Sequence, residues 1–291
     1  MMDISLILQS IINGILLGGI YMMISVGLNL IYGVMRIINY AQGEFLMIGM
    51  YIAYWIFTLF GINPFLGIPI VATVLYFSGM FLFNYVVYPI LKKPYETQIM
   101  TFVALIYILQ NIALIIWTAD YRTVNMPETS IPVVIGNVYI PSGRLIILGI
   151  AIVISLIVLF FLTRTKTGLF IRASSQNPFA AELVGVDTKK VRALSMGIGI
   201  ALAGIGGCIL LPIYYCYPYV GVKLGIMGFI IITLGGLGSF YGAIIGSLLI
   251  GLVESLVGAL YSSEFAMAIA LVIYVTILIL RPQGLLGTKS R

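Results

Sequence analysis

Residues 163–192 read TRTKTGLFIRASSQNPFAAELVGVDTKKVR and separate two long apolar runs of the chain. This stretch carries 8 of the 24 charged residues of the protein, and six of the eight are basic. A polar segment between apolar runs of membrane-spanning length is a water-exposed loop, and basic loops lie preferentially on the cytoplasmic side. The stretch therefore predicts a chain of membrane helices with a cytoplasmic loop at about residues 164–192.

A short helix is predicted inside this loop. Asn177 suits the N-cap, Pro178 the first helical position and Gly185 the end. The body, residues 179–184, has about two turns, which is marginal for a helix alone in water. The pattern favours a docking element for a cytoplasmic partner, and an ordinary polar loop between spans is the alternative. The large apolar side chains that would enter a partner's groove are Phe179, Leu183 and Val184. The full set expected to contact the partner is Arg172, Asn177, Pro178, Phe179, Ala180, Ala181, Leu183 and Gly185.

Composition places the whole chain in the membrane. Hydrophobic residues make up 62% of the 291 residues, charged residues 8%, and the mean hydropathy is +1.16, whereas soluble domains are about 25% charged. The apolar runs are unbroken and about 20 residues long, as in spanning helices and unlike barrel strands. We expect an all-α, polytopic integral membrane protein with about eight or nine transmembrane helices, some broken or re-entrant. Residues 1–291 would form one domain whose surroundings are membrane lipid.

The net charge of +6 reflects membrane orientation, and no nucleic-acid partner is expected from it. Eleven of the 15 basic residues fall on one predicted side, including those of the loop. The C-terminus, with Arg281, Lys289 and Arg291, is therefore expected in the cytoplasm. The side of the N-terminus depends on whether residues 225–237 cross fully or re-enter. Residues 1–3 have no basic segment, so an uncleaved first span is expected.

Polar residues interrupt the apolar pattern at residues 32–44, YGVMRIINYAQGE. A charge near the centre of a bilayer costs at least ~2.5 kcal/mol on insertion scales, so these residues belong in a loop, a broken helix or an aqueous cavity. Two interpretations stand side by side: the charged residues pair with one another or with freed backbone groups, or they line a passage for a zwitterionic substrate. The residues concerned are Arg36, Asn39, Gln42, Gly43, Glu44 and, far along the chain, Glu254.

A second interruption is the glycine-rich segment GGLGSFYG at residues 235–242. Glycines permit close backbone approach and positive φ, so we expect a tight helix crossing or a hinge here. The residues are Gly235, Gly236, Gly238, Gly242 and Gly246. Each half of the chain thus has a span, a break and a small-residue-rich span, which is typical of duplicated transporter units or arises by chance.

Several kinds of chemistry have no residues to support them. The chain has no histidine, no HExxH and no GxSxG motif, so neither catalytic residues, nor a metal site, nor a cofactor is expected. Residues 287–290, GTKS, only superficially resemble the end of a P-loop. Energy for transport would come from a partner or an ion gradient, and the scarcity of intramembrane carboxylates favours a partner.

Four segments of the chain form a recognisable set: residues 27–54 (GLNLIYGVMRIINYAQGEFLMIGMYIAY), 172–195 (RASSQNPFAAELVGVDTKKVRALS), 234–254 (LGGLGSFYGAIIGSLLIGLVE) and 281–287 (RPQGLLG). Together they resemble one known family, the permease subunits of prokaryotic ABC importers for branched-chain amino acids. The chain looks like the shorter of the two sister permeases of such systems. One departure is Gln42, where the family pattern more often has His.

The resemblance implies a non-enzymatic transport subunit in the plasma (inner) membrane of a prokaryote. Its implied partners are a second, sister permease, two cytoplasmic ATP-binding subunits that hydrolyse ATP, and an extracytoplasmic solute-binding protein. Residues 177–185 would be the coupling helix, and leucine, isoleucine and valine would pass by alternating access. Urea, short amides or other small polar solutes are alternatives within the same importer class. A passive channel or a membrane scaffold is the alternative from another class.

Overall fold

The computed structural model describes residues 4–135 and 138–287, which form thirteen α-helices, one π-helical turn and a two-stranded hairpin. Residues 1–3 and 288–291 lie outside the described residues. The expectations about the first residues, about Lys289 and Arg291, and about the segment that resembles a P-loop rested on these positions. The elements are α1 (Ile4–Met35), α2 (Gln42–Phe60), α3 (Pro64–Leu82), the π turn (Phe83–Val87), α4 (Tyr88–Ile90), α5 (Tyr95–Trp117), α6 (Pro127–Ser130), β1 (Pro132–Ile135), β2 (Val138–Pro141), α7 (Ser142–Arg164), α8 (Lys166–Gln176), α9 (Pro178–Leu183), α10 (Thr188–Leu210), α11 (Val220–Gly235), α12 (Phe240–Leu260) and α13 (Ser263–Leu280).

The all-α membrane class is confirmed, whereas the number of spans is lower than predicted. Among the described residues, seven helical segments are long and apolar enough to cross a membrane, not eight or nine. The two predicted spans outside these seven are α11 and α13, whose described apolar parts are residues 220–235 and 265–280. Helix α11 has 16 residues, a rise of roughly 24 Å, against a hydrocarbon core of about 30 Å.

The core of the molecule is α10, which packs against α1, α2 and α3. Helices in lipid gain little from apolar burial, so they associate where small residues let backbones approach. Gly199 faces α1, where a Cβ would lie 2.5 Å from an Ile31 side-chain carbon. A Cβ on Gly207 would lie 2.1 Å from the Leu46 carbonyl oxygen of α2. A glycine-rich helix can therefore sit in the centre of the bundle with close neighbours on several sides.

Gly14 and Gly18, four residues apart in α1, form a close-packing face. A Cβ on Gly14 would lie 2.7 Å from Leu252 Cα, and one on Gly18 would lie 2.8 Å from Leu248 Cα, both in α12. Because a later residue of α1 meets an earlier residue of α12, the two helices run antiparallel.

The two ends of the bundle differ. At one end, Val133 and Val134 of β1 pair with Ile140 and Tyr139 of β2 in an antiparallel hairpin. Residues 136–137 of that hairpin lie outside the described part of the chain. The Gln9 side chain donates to and accepts from the Tyr139 backbone, which ties the start of α1 to the hairpin. Helices α8 and α9 lie at the other end, after α7 has crossed.

Candidate functional site

The predicted break between the first two spans is present at residues 36–41, between α1 and α2. Arg36 has a positive φ of 58° and turns the chain out of α1. The buried Asn39 then accepts from the Ala41 N–H (3.2 Å) and donates to Gln42 Oε1 (2.9 Å). Gln42 Nε2 donates to the Gly199 carbonyl of α10 (2.8 Å). The Asn39 amide thus satisfies a backbone N–H that the break leaves without a helical partner, and the Gln42 amide ties the break to α10.

The short helix α11 starts beside the start of α2. The two backbones touch: a Cβ on Gly43 would lie 2.0 Å from the Gly221 carbonyl oxygen. Gln42 meets Gly199, eleven residues into α10 from Thr188, or roughly 16 Å along its axis. Because this is about half of a 30 Å hydrocarbon core, two helix N-termini meet near the middle of the bundle.

A cavity of about 390 Å³ opens at this meeting point, between α2, α5 and α11. Glu44 is 1% exposed, and its Oε1 accepts from Gln110 Nε2 of α5 (3.0 Å). Its Oε2 has no hydrogen-bond partner within the described part of the chain. Sequence reasoning missed Gln110, although an amide in the middle of an apolar run was a usable signal. The other polar or glycine residues of the lining are Asn39, Tyr40, Tyr107, Gly221 and Gly225.

The predicted polar residues do not form one cluster. Arg36 is exposed and makes no ion pair within residues 4–135 and 138–287. Of the alternatives, pairing of Arg36, Glu44 and Glu254 with one another is therefore ruled out, whereas contact with freed backbone groups or with a passage stays a prediction. Glu254 accepts from the Tyr21 hydroxyl (2.5 Å) and lies 3.5 Å from Lys223 Nζ. Lys223 belongs to the first turn of α11. Only the fold brings this lysine to the carboxylate on α12.

The short helix α9, which comes directly before α10, has the predicted cap. Asn177 Oδ1 accepts from the Ala180 N–H (3.0 Å), Pro178 is the first helical residue, and Gly185 has φ +85°. The helix ends at Leu183, one residue before the predicted end.

The outer face of α9 is apolar. Phe179, Leu183 and Val184 are 71%, 73% and 79% exposed. Ala181, which we had grouped with the contact residues, is 3% exposed and packs inward. Its side chain therefore seats α9 on the protein instead of facing a partner. The other residues of the predicted set, Arg172, Asn177, Ala180 and Gly185, are exposed, and Pro178 is half-buried.

The family described as branched-chain amino acid transport system / permease component has a model that matches residues 10–280. The chain belongs to this permease family. It is 29% identical to LivH of Escherichia coli (strain K12), a high-affinity branched-chain amino acid transport system permease protein, over 96% of this chain and 95% of LivH. BraD of Pseudomonas aeruginosa, with the same description, is 26% identical over 96% and 95% of the two chains. A probable LivH permease of Methanocaldococcus jannaschii is 28% identical over 94% and 91%. No solved structure matches the chain significantly.

The permease is thus a transport component and a multi-pass membrane protein. Its glycine-rich segment joins α11 to α12. A Cβ on Gly235 would lie 2.0 Å from the Gly242 carbonyl oxygen, and one on Gly246 would lie 2.9 Å from that of Ile231. Gly236, with φ +107°, and Gly238, with φ +84°, make the turn. This geometry is a tight helix crossing.

The C-terminal segment of the permease closes over this crossing. The N–H of Leu285 donates to the Leu234 carbonyl (2.8 Å), and the N–H of Leu286 donates to that of Gly235 (2.9 Å). The crossing is also tied to α1, because Asn29 accepts from the Gly238 N–H (2.6 Å). Sequence reasoning missed Asn29, and an amide deep within the first apolar run was the available signal.

Proposed function

We propose that the permease is the transmembrane subunit of an ATP-driven ABC importer for branched-chain amino acids: leucine, isoleucine and valine. The support is similarity over nearly the full chain to LivH and BraD, whose names state that transport system. The permease would sit in the plasma (inner) membrane of a prokaryote, with α8, α9 and the C-terminus on the cytoplasmic side. The excess of basic residues around α9 supports that orientation.

The partners that we propose are a sister permease, two cytoplasmic ATP-binding subunits and an extracytoplasmic solute-binding protein. The single observation that carries the ATP-binding partner is α9, a capped two-turn helix with an exposed apolar face in a basic loop. Apolar anchors at helical spacing are the means by which a short helix binds in a groove. An exposed face of this kind in water is otherwise a solubility cost.

Movement of α9 would reach the middle of the membrane through α10. Glu182 of α9 accepts a hydrogen bond from the Thr188 hydroxyl at the start of α10. Further along α10, the Gly199 carbonyl holds the Gln42 side chain at the break before α2. A shift of α9 with the ATP-binding subunit would therefore act on the starts of α2 and α11 at the cavity. ATP would drive alternating access because it binds better to one conformation than to the other.

Purification and transport measurements test this function. The permease should co-purify with an ATP-binding subunit, and the whole complex in liposomes should accumulate leucine only with ATP and the loaded solute-binding protein. ATP-independent flux through the permease alone would show a passive channel. Co-purification without any flux would indicate a scaffold. Uptake of urea or short amides in place of leucine would show that the importer carries small polar solutes instead.

A further inference from the structure

Within the described part of the chain, the cavity where α2 and α11 begin is lined by one acidic residue, Glu44, which has a buried, unpaired oxygen. Glu44 is the only Asp, Glu, Lys or Arg in the described lining, and its Oε2 lacks a partner. A carboxylate removed from water is costly unless a donor or a cation faces it. Gln110 supplies one donor to Oε1, which leaves Oε2 for a group that is not part of this chain.

The start of α11 has the opposite polarity. Helix N-termini carry partial positive charge and unpaired N–H groups, and they bind anions. The N–H groups of Val220 and Val222 donate to the carbonyls of Tyr217 and Tyr219. The Gly221 N–H, in a residue of the lining, makes no hydrogen bond within residues 4–135 and 138–287. The cavity thus has an acid from α2 and a helix N-terminus from α11.

Apart from Asn39, Tyr40, Tyr107 and Gln110, the rest of the wall is apolar. Its larger side chains come from three helices and the break before α2: Leu28, Ile38, Val103, Ile106, Ile226 and Phe229. The cavity volume of about 390 Å³ is within the range of small-molecule sites, roughly 300–1,000 Å³. A ligand that fits has a cationic group, an anionic group and an aliphatic body.

We infer that this cavity binds the zwitterion of an aliphatic α-amino acid during its passage. Glu44 Oε2 accepts hydrogen bonds from the α-ammonium group, the N-terminus of α11 holds the α-carboxylate, and the apolar wall receives the branched side chain. This assignment rests on the proposed function, and it adds where in the permease the substrate is recognised.

The test uses the whole importer in proteoliposomes, with leucine uptake and ATP hydrolysis measured on the same preparation. Glu44→Gln keeps the shape and a hydrogen bond but removes the charge. We expect leucine uptake to fall about tenfold or more, because hydrogen bonds to charged groups are the stronger ones. ATP hydrolysis stimulated by the loaded solute-binding protein should persist. Glu44→Asp should recover part of the uptake. Glu96→Gln, the same change at an exposed residue of α5, is the matched control and should retain uptake.

Each outcome decides a different statement. Wild-type complex without leucine uptake overturns the proposed function itself. If the wild type transports leucine, uptake by Glu44→Gln equal to that of Glu96→Gln overturns the binding role. Loss of both uptake and ATP hydrolysis in an assembled Glu44→Gln complex also overturns it. Should Glu44→Gln not assemble, Ile226→Phe decides: it should lower uptake of leucine more than uptake of valine, and an unchanged ratio refutes the cavity as the site.

Discussion

Truncation of Phe179 on α9 should weaken the binding of the ATP-binding subunit about tenfold. Full burial of a Phe side chain is worth about 1.5–3 kcal/mol. Phe179 is 71% exposed in the permease alone, so a groove that covers it would gain about 1–2 kcal/mol from this side chain. Since every 1.4 kcal/mol is a factor of ten in affinity, Phe179→Ala should raise the dissociation constant by roughly 5- to 30-fold.

The assay is equilibrium binding of the purified ATP-binding subunit to detergent-solubilised permease variants. The matched control is Phe160→Ala, because Phe160 on α7 is 64% exposed but lies on a spanning helix instead of α9. Phe160→Ala should leave the dissociation constant within about twofold of the wild type, since it removes similar area outside the proposed interface. Folding of both variants is compared by their melting temperatures.

The reasoning fails if Phe179→Ala binds as tightly as Phe160→Ala while both variants melt like the wild type. Ala181→Asp, which would be a natural choice from sequence alone, is a poor test of docking. Ala181 is 3% exposed, so an aspartate there buries a charge and disturbs the seating of α9 whether or not a partner binds.

Three other predictions follow from local geometry. Asn177→Ala removes the cap of α9 and should cost about 1 kcal/mol of local stability, seen as faster amide hydrogen exchange in α9; unchanged exchange would contradict the cap. Gly235→Val should lower the melting temperature or abolish folding, because its Cβ would meet backbone at 2.0 Å, whereas Gly258→Val, with nothing within 4 Å, should melt near the wild type; equal melting of the two variants would refute the tight crossing. The Asp187 carboxylate accepts a hydrogen bond from the backbone N–H of Lys190, and this is the main reason why its pKa lies below the usual 3.8. Its stabilising effect is therefore present above pH 3.8 and is lost as the pH falls through the lower pKa of the folded state. The melting-temperature difference between wild type and Asp187→Asn should shrink on acidification, and a difference independent of pH would refute this stabilising effect.

Local features were predictable because the residues that make them lie close together in sequence. The cap of α9 needs only Asn177, Pro178 and Gly185, and the break before α2 needs only the amides and charges between Arg36 and Glu44. Short-range geometry and the cost of polar groups in lipid decide both. The number of spans was overestimated because an apolar run of α11's composition does not reveal that its helix starts in the middle of the bundle.

The sequence by itself determined that this is an all-α membrane protein with a basic loop that carries a short capped helix, because hydropathy, capping and charge asymmetry are local properties. Only the tertiary structure decided which distant residues meet. It placed Gln110 against Glu44, Lys223 against Glu254, and Gly43 against Gly221, pairs separated by 66, 31 and 178 positions in the chain. The physical reason is that these contacts depend on how whole helices cross, which the close approach of glycine-rich surfaces sets and a linear pattern of residues does not encode.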